Sequence, residues 1–156
     1  MSWETGRGRV LELIEAAEVE RIAADLPIAR RMLEDAGRHL TTASQAKVAG
    51  DLSGAYQLAY DALRKSAASL LEAQGLRATS RGGHIAVQET VIAQFGTAVR
   101  VFRSFGRIRR ARNSFEYPSS NSPGPTVDDV DDAIAVATQV RDAATTILDQ
   151  DVLTPW

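Results

Sequence analysis

Apolar positions recur at intervals of three and four along most of this chain, the spacing of one face of an α-helix. The clearest run is GDLSGAYQLAYDALRKSAASLLEAQGL, where Leu52, Tyr56, Ala59, Leu63, Ala67 and Leu70 form one stripe and Gly75 marks the end. Ahead of it, residues 9 to about 24 read as a first amphipathic helix, with Val10, Leu13, Ile14, Ala17 and Ile22 on or near one side. Asp25 and Pro27 signal the start of a second helix that runs to about residue 50. After the polar loop RATSRGG, a shorter helix is predicted over 84–95, and Gly96 breaks it. An arginine-rich helix is predicted from about 97 to 117. The tract PSSNSPGP then interrupts the pattern with three of the five prolines. Thr126 is placed to cap a last helix, and its early aspartates (Asp128, Asp129, Asp131, Asp132) suit the positive helix end. No strand alternation, internal repeat or low-complexity tract is found. These elements predict an all-α, up-and-down bundle of five or six helices.

Composition narrows the class. A chain of 156 residues with 24% charged and 44% hydrophobic residues is an ordinary globular composition, sized for one core. A net charge of −2 disfavours a protein that coats nucleic acid over its whole surface, but leaves room for a local basic patch. The absence of cysteine removes disulfides and thiolate metal sites and suits a reducing compartment. The first ten residues lack a signal-peptide core and no apolar run approaches 18 residues, so the expectation is a cytoplasmic protein with no membrane partner.

The segment RIRRARNSFEY (107–117) carries the most chemistry. On a 3.6-residue wheel, Val101, Phe105, Ile108 and Phe115 all fall within about 60° of Arg112, which puts Arg112 in the middle of the apolar stripe. Arg103, Arg107 and Arg110 point the opposite way, as a solvated face would, and Arg109 flanks the stripe. A guanidinium on a buried face needs an anion or several acceptors to offset its desolvation. Two partners suit Arg112. Glu116 lies one turn on and would make an intrahelical pair. A ligand phosphate would be gripped by paired N–H donors, with Asn113 and Tyr117 on the adjoining flank.

RRARNSFEYP after a helical hairpin resembles the motif of the HEPN superfamily, small α-bundle domains of prokaryotic toxins, antiviral systems and nucleotidyltransferase partners. AYQLAYDALRKSAASLLEAQGLRATSRGGHIAV is similar to the long central helix of an actinobacterial-type subgroup, with its glycine stop and a histidine opening the next helix. The resemblance covers roughly residues 30–150, so 26–156 is taken as the HEPN-like domain and 1–25 as an N-terminal helical extension. It implies a dimer in which the motif-bearing helices of two protomers face each other across a cleft. It also implies, for RNA-cleaving members, an arginine that steadies a charged phosphorane while a histidine four to six positions later moves a proton, without metal.

Carried over by position, Arg112 matches the motif arginine and Asn113 the polar residue after it. The histidine window holds Glu116, Tyr117 and Pro118 instead. A phenol with its ordinary pKa near 10 is a poor base at neutral pH, and a carboxylate beside a guanidinium is a weak one. Tyr117 and Glu116 are therefore the catalytic candidates beside Arg112 only if the protein is active. Arg109, Arg112, Asn113, Tyr117 and His84 are the ligand-binding candidates. His84 follows SRGG, where backbone amides and Arg81 would cradle a phosphate, although capping or packing is the commoner use of such a histidine. His39 reads as a surface or boundary residue. The aspartates at 128–132 read as helix capping, since consecutive acids point around a helix, and no metal or cofactor is expected. Three functions stay open: a domain that binds RNA or nucleotide phosphates in a homodimer cleft, with a toxin or defence role; an active metal-independent ribonuclease toxin; and a non-catalytic partner of a nucleotidyltransferase antitoxin.

Overall fold

The structure, a computed structural model, describes residues 4–156. In chain order it contains α1 (Arg7–Glu15), β1 (Val19–Arg21), α2 (Leu26–Val48), α3 (Leu52–Gln74), β2 (Leu76–Ala78), α4 (Gly83–Phe95), a 3-10 turn (Arg100–Ser104), α5 (Phe105–Glu116) and α6 (Val127–Asp149). The architecture is an all-α bundle.

Its centre is α3. Small residues let neighbouring backbones approach it closely, so Ala55, Ala59, Ala62, Ala67, Tyr60, Leu63 and Leu70 are all fully buried. The antiparallel α2 packs along one side and α6 along another, while α4 and α5 close the remaining flank. Asp25 starts α2 by accepting from the Ile28 N–H at 2.9 Å, with Pro27 in the first turn, and Asp51 starts α3 in the same way through Gly54 N–H at 2.8 Å. Thr126 and Asp129 form a reciprocal capping box on α6. Of the early aspartates, Asp131 also meets Lys47 at 2.6 Å and Asp132 meets Arg107 at 2.5 Å. The acid cluster is thus spent on capping and on tying α6 to α2 and α5.

Two expected helices are interrupted. The segment predicted as one helix over 9–24 stops at Glu15, Ala17 turns with φ +59°, and Val19–Arg21 pairs antiparallel with Leu76–Ala78. The expectation of no strand is corrected accordingly. Each strand has three residues, too short for a period of two to emerge from the sequence, and each is stabilised by the other. Gly75 ends α3 with φ +73°, and a Cβ there would lie 2.7 Å from Ile22 O, so the close approach of the two strands needs glycine. The second interruption is the predicted helix over 97–117, which begins as a 3-10 turn and becomes α-helical only at Phe105. The tighter winding brings Phe102 into the core in phase with Phe105 and leaves Val101 half-buried. Reciprocal bonds between the buried Gln74 and Gln94 amides, 2.7 and 3.1 Å, lock α4 to α3. No described helix is long and apolar enough to cross a membrane.

Candidate functional site

Four side chains on one face of α3, Gln57, Tyr60, Asp61 and Arg64, follow the helical spacing of three and four. They form a polar ridge along the helix, and α4 and α5 both pack against α3. Arg112 reaches the ridge from α5. Its Nε donates to Gln57 Oε1 at 2.7 Å and its Nη1 to Asn113 Oδ1 at 3.2 Å, and Nη1 lies 2.6 Å from Glu116 Oε2. The guanidinium carbon stands 5.6 Å from the centre of the Tyr60 ring. The side chain is 20% exposed, so burial has been met by three acceptors and an aromatic face. Nη2 donates to none of the described residues, and that edge of the fork remains available to a ligand.

His84 reaches the same tyrosine from the start of α4, with Tyr60 Oη 2.8 Å from His84 Nδ1. Burial raises the Tyr60 phenol to about 12, so it stays protonated. When Tyr60 donates to Nδ1, the neutral ring carries its proton on Nε2. Burial first, and then the positive charges of Arg64 and Arg112, hold the His84 pKa below its ordinary value. Arg109 adds to the same field while its Nε donates to Gln88 Oε1 at 3.0 Å. Arg64 Nη2 is 3.3 Å from Asp61 Oδ1, and its buried Nε has no hydrogen-bond partner. Three guanidiniums therefore surround one buried phenol and a neutral imidazole, against the carboxylates of Asp61 and Glu116. The excess of positive charge favours an anion.

His84 owes its position to backbone that only glycine suits. A Cβ at Gly82 would overlap the carbonyl of Glu18, and Gly83 takes φ +55° to open α4. The loop RATSRGG thus presses against the residues before β1 and swings His84 over Tyr60.

Two cavities flank the ridge. One of about 420 Å³ lies between the starts of α3 and the end of α5, walled by Tyr56, Gln57, Arg112, Phe115, Glu116 and Pro118. The other, about 250 Å³, lies between α2, α3, β2 and α4, with Arg64 and His84 in its lining.

The sequence-predicted residues fall into two groups. Arg112, Arg109 and His84 converge through Tyr60, Gln57 and Gln88, three residues the sequence reading did not select. For Gln57 and Tyr60 the signal was present in the polar period Gln57–Tyr60–Asp61–Arg64 of α3. Asn113 and Glu116 are exposed side chains bonded to Arg112 from its own helix. Tyr117 caps α5 with its side chain 75% exposed. His39 is half-buried on α2 with a buried Nδ1 that lacks a partner. Arg107 is exposed and bound to Asp132, and Arg103 donates through Nε to Gly96 O at 2.7 Å. Among the described residues, no group of three or more His, Cys, Asp or Glu side chains is arranged to hold a metal ion.

An α-helical bundle with its last-but-one helix ending in an arginine–asparagine pair above a tyrosine-bearing central helix defines a recognisable class. The family model of the HEPN domain matches residues 29–147, from the first turn of α2 to the last turn of α6, and the chain belongs to the HEPN domain family. No curated protein and no solved structure matches the chain significantly.

Proposed function

We propose that this HEPN domain binds RNA or nucleotide phosphates at the arginine cluster formed by Arg64, Arg109 and Arg112. The observation that carries the reading is the free Nη2 edge of Arg112, held in place by Gln57, Glu116 and Tyr60 beside two further guanidiniums. A planar donor fork fixed in this way meets a phosphate with little further loss of freedom. Asn113 lies next to it at the surface, and Tyr117 stands one turn on, where it would stack on or bond to a longer ligand. In the homodimer that the family resemblance implies, the exposed end of α5 would face its symmetry mate across a cleft. A role in a toxin or defence system, with an antitoxin as a further partner, is in keeping with that resemblance.

Metal-independent RNA cleavage is the second reading, and one observation favours it. His84 comes to the arginine cluster from a different helix, and its imidazole, held toward the neutral form, would take up a proton at Nδ1 once the Tyr60 hydrogen bond there is released. Glu116 and Tyr117 remain the other candidates for that role.

The test is one incubation read twice. Labelled single-stranded RNA is mixed in EDTA with wild type and with Arg112→Ala, then followed by anisotropy and on a denaturing gel. Binding should weaken steeply with salt, with a logarithmic slope of about −0.7 per phosphate contacted, and should fall at least tenfold in the variant. Cleavage that disappears in Arg112→Ala would favour the ribonuclease. Absence of RNA and nucleotide binding in the wild type would refute the proposal.

A further inference from the structure

The smaller cavity contains a feature that phosphate binding does not use. Its lining is partly apolar, with Ala68, Leu71 and Val87, and includes Glu72. That side chain is only 10% exposed. Its sole hydrogen-bonding side-chain partner among the described residues is Arg77, whose Nη2 spans both oxygens at a long 3.3 Å each. A carboxylate has about four acceptor positions, so a bond to each oxygen leaves acceptors open in a residue that lines the cavity. Burying a charged group with this little compensation is costly, and a ligand that supplies donors would offset the cost.

The chemistry of the rim limits what the ligand is. Arg64 and Arg77 set two positive charges against one carboxylate, which opposes a cationic guest. At about 250 Å³ the cavity lies below the range of about 300–1,000 Å³ typical of drug-sized ligands, so it takes a single ring system and leaves the rest of a nucleotide outside. What fits is a neutral, flat, mostly apolar body with two adjacent N–H donors on one edge. Among the nucleobases, guanine alone presents such a pair, N1–H beside its N2 amino group. Adenine and cytosine offer one amino donor beside acceptors, and uracil a single N–H between carbonyls. Arg64 and His84 also line the cavity, and His84 is joined through Tyr60 to Arg112.

We propose that this cavity is a base-recognition pocket for an unpaired guanine. Glu72 accepts from N1–H and N2–H, the ring lies on Ala68, Leu71 and Val87, and the attached phosphate rests on the Arg64–Arg112 side. The inference rests on the phosphate-binding reading and adds base identity to it. A free guanine nucleotide and an exposed guanine in a single strand share this chemistry.

The experiment is titration calorimetry of the full chain with GMP, AMP, CMP and UMP, and with single-stranded hexamers that do or do not contain guanine. GMP should bind about tenfold tighter than the other three, the discrimination expected of one bidentate pair. Glu72→Gln should bring GMP to the level of AMP while AMP itself is unchanged, which also shows that the variant is folded. Ala68→Leu, which enlarges the apolar lining, should cost GMP affinity in the same manner. Arg112→Ala should weaken all four nucleotides equally. A guanine-containing hexamer that exceeds GMP would identify RNA as the source, and equal affinities would identify the free nucleotide. Four nucleotides bound equally, with no effect of Glu72→Gln, would overturn the pocket and leave phosphate binding standing. No binding of any nucleotide or hexamer would overturn both.

Discussion

Glu116→Gln separates the uses to which the end of α5 can be put. In the structure Glu116 lies 2.6 Å from Arg112, and its side chain is 43% exposed. If Arg112 takes a phosphate, that carboxylate is a like charge held beside the ligand. At about 6 Å, two unit charges repel by about 0.7 kcal/mol at the dielectric constant of water and about 2.8 kcal/mol at an effective value of 20. Salt at 0.15 M, with a screening length of about 8 Å, roughly halves both figures. The substitution should therefore tighten RNA binding about two- to tenfold, more at low salt. The loss of a half-exposed ion pair should cost no more than about 1 kcal/mol of stability. Fluorescence anisotropy at 50 and 150 mM salt, beside a thermal melt, measures both. If Glu116 instead serves as a catalytic base, cleavage falls while binding persists. If the pair is purely structural, the melt shifts and affinity does not. Weaker RNA binding in a variant that melts like wild type would refute the electrostatic reasoning.

His84 should make stability pH-dependent. Its folded pKa is held below the unfolded value of about 6.5, so the unfolded chain takes up its proton first as pH falls. Its contribution is complete above about pH 6.5 and is lost below that value down to the folded pKa. Urea midpoints of wild type and His84→Gln should accordingly converge between pH 8 and pH 5, and parallel curves would count against a ring held neutral in the folded state. Gln94→Leu strands the buried amide of Gln74 and should destabilise by about 1–3 kcal/mol, most of it recovered when Gln74→Leu is added, as read from chemical denaturation. Gly82→Ala drives a Cβ into the Glu18 carbonyl and should cost about 1–3 kcal/mol. It should also perturb the His84 ring signals in a proton NMR spectrum, whereas Gly124→Ala, in open space, should leave them in place.

Much of the bundle was legible because long helices carry their own signals. The starts of α2 and α6 follow from Asp25 and Thr126, residues whose side chains satisfy the first backbone N–H groups, as Asp51 does for α3 in the structure. The stripe Tyr56–Ala59–Leu63–Ala67–Leu70 repeats often enough to reveal the buried face of α3. Short elements gave no such signal. The pair Val19–Arg21 and Leu76–Ala78 is stable only because the 54 residues of intervening chain bring the strands together, Val19 opposite Ala78. The 3-10 turn at Arg100–Ser104 is apolar enough to pass for the first turn of α5, and only the packing of Phe102 on Phe95, with ring centres 5.9 Å apart, reveals its tighter winding.

The site divides along the same line. That Arg112 sits on an apolar stripe is a property of spacing, and a buried guanidinium requires partners wherever it occurs. Which partners it has is a property of the tertiary structure. Gln57 lies 55 positions away in the chain, and Tyr60 and His84 are 24 apart. No local rule joins them. The sequence by itself determined the helices, the caps and the one arginine that could not lie in water. Only the packing of α4 and α5 onto α3 decided that a second histidine-bearing helix, two more arginines and a cavity lined in part by a carboxylate would meet there, because contacts between distant residues depend on the whole core being assembled.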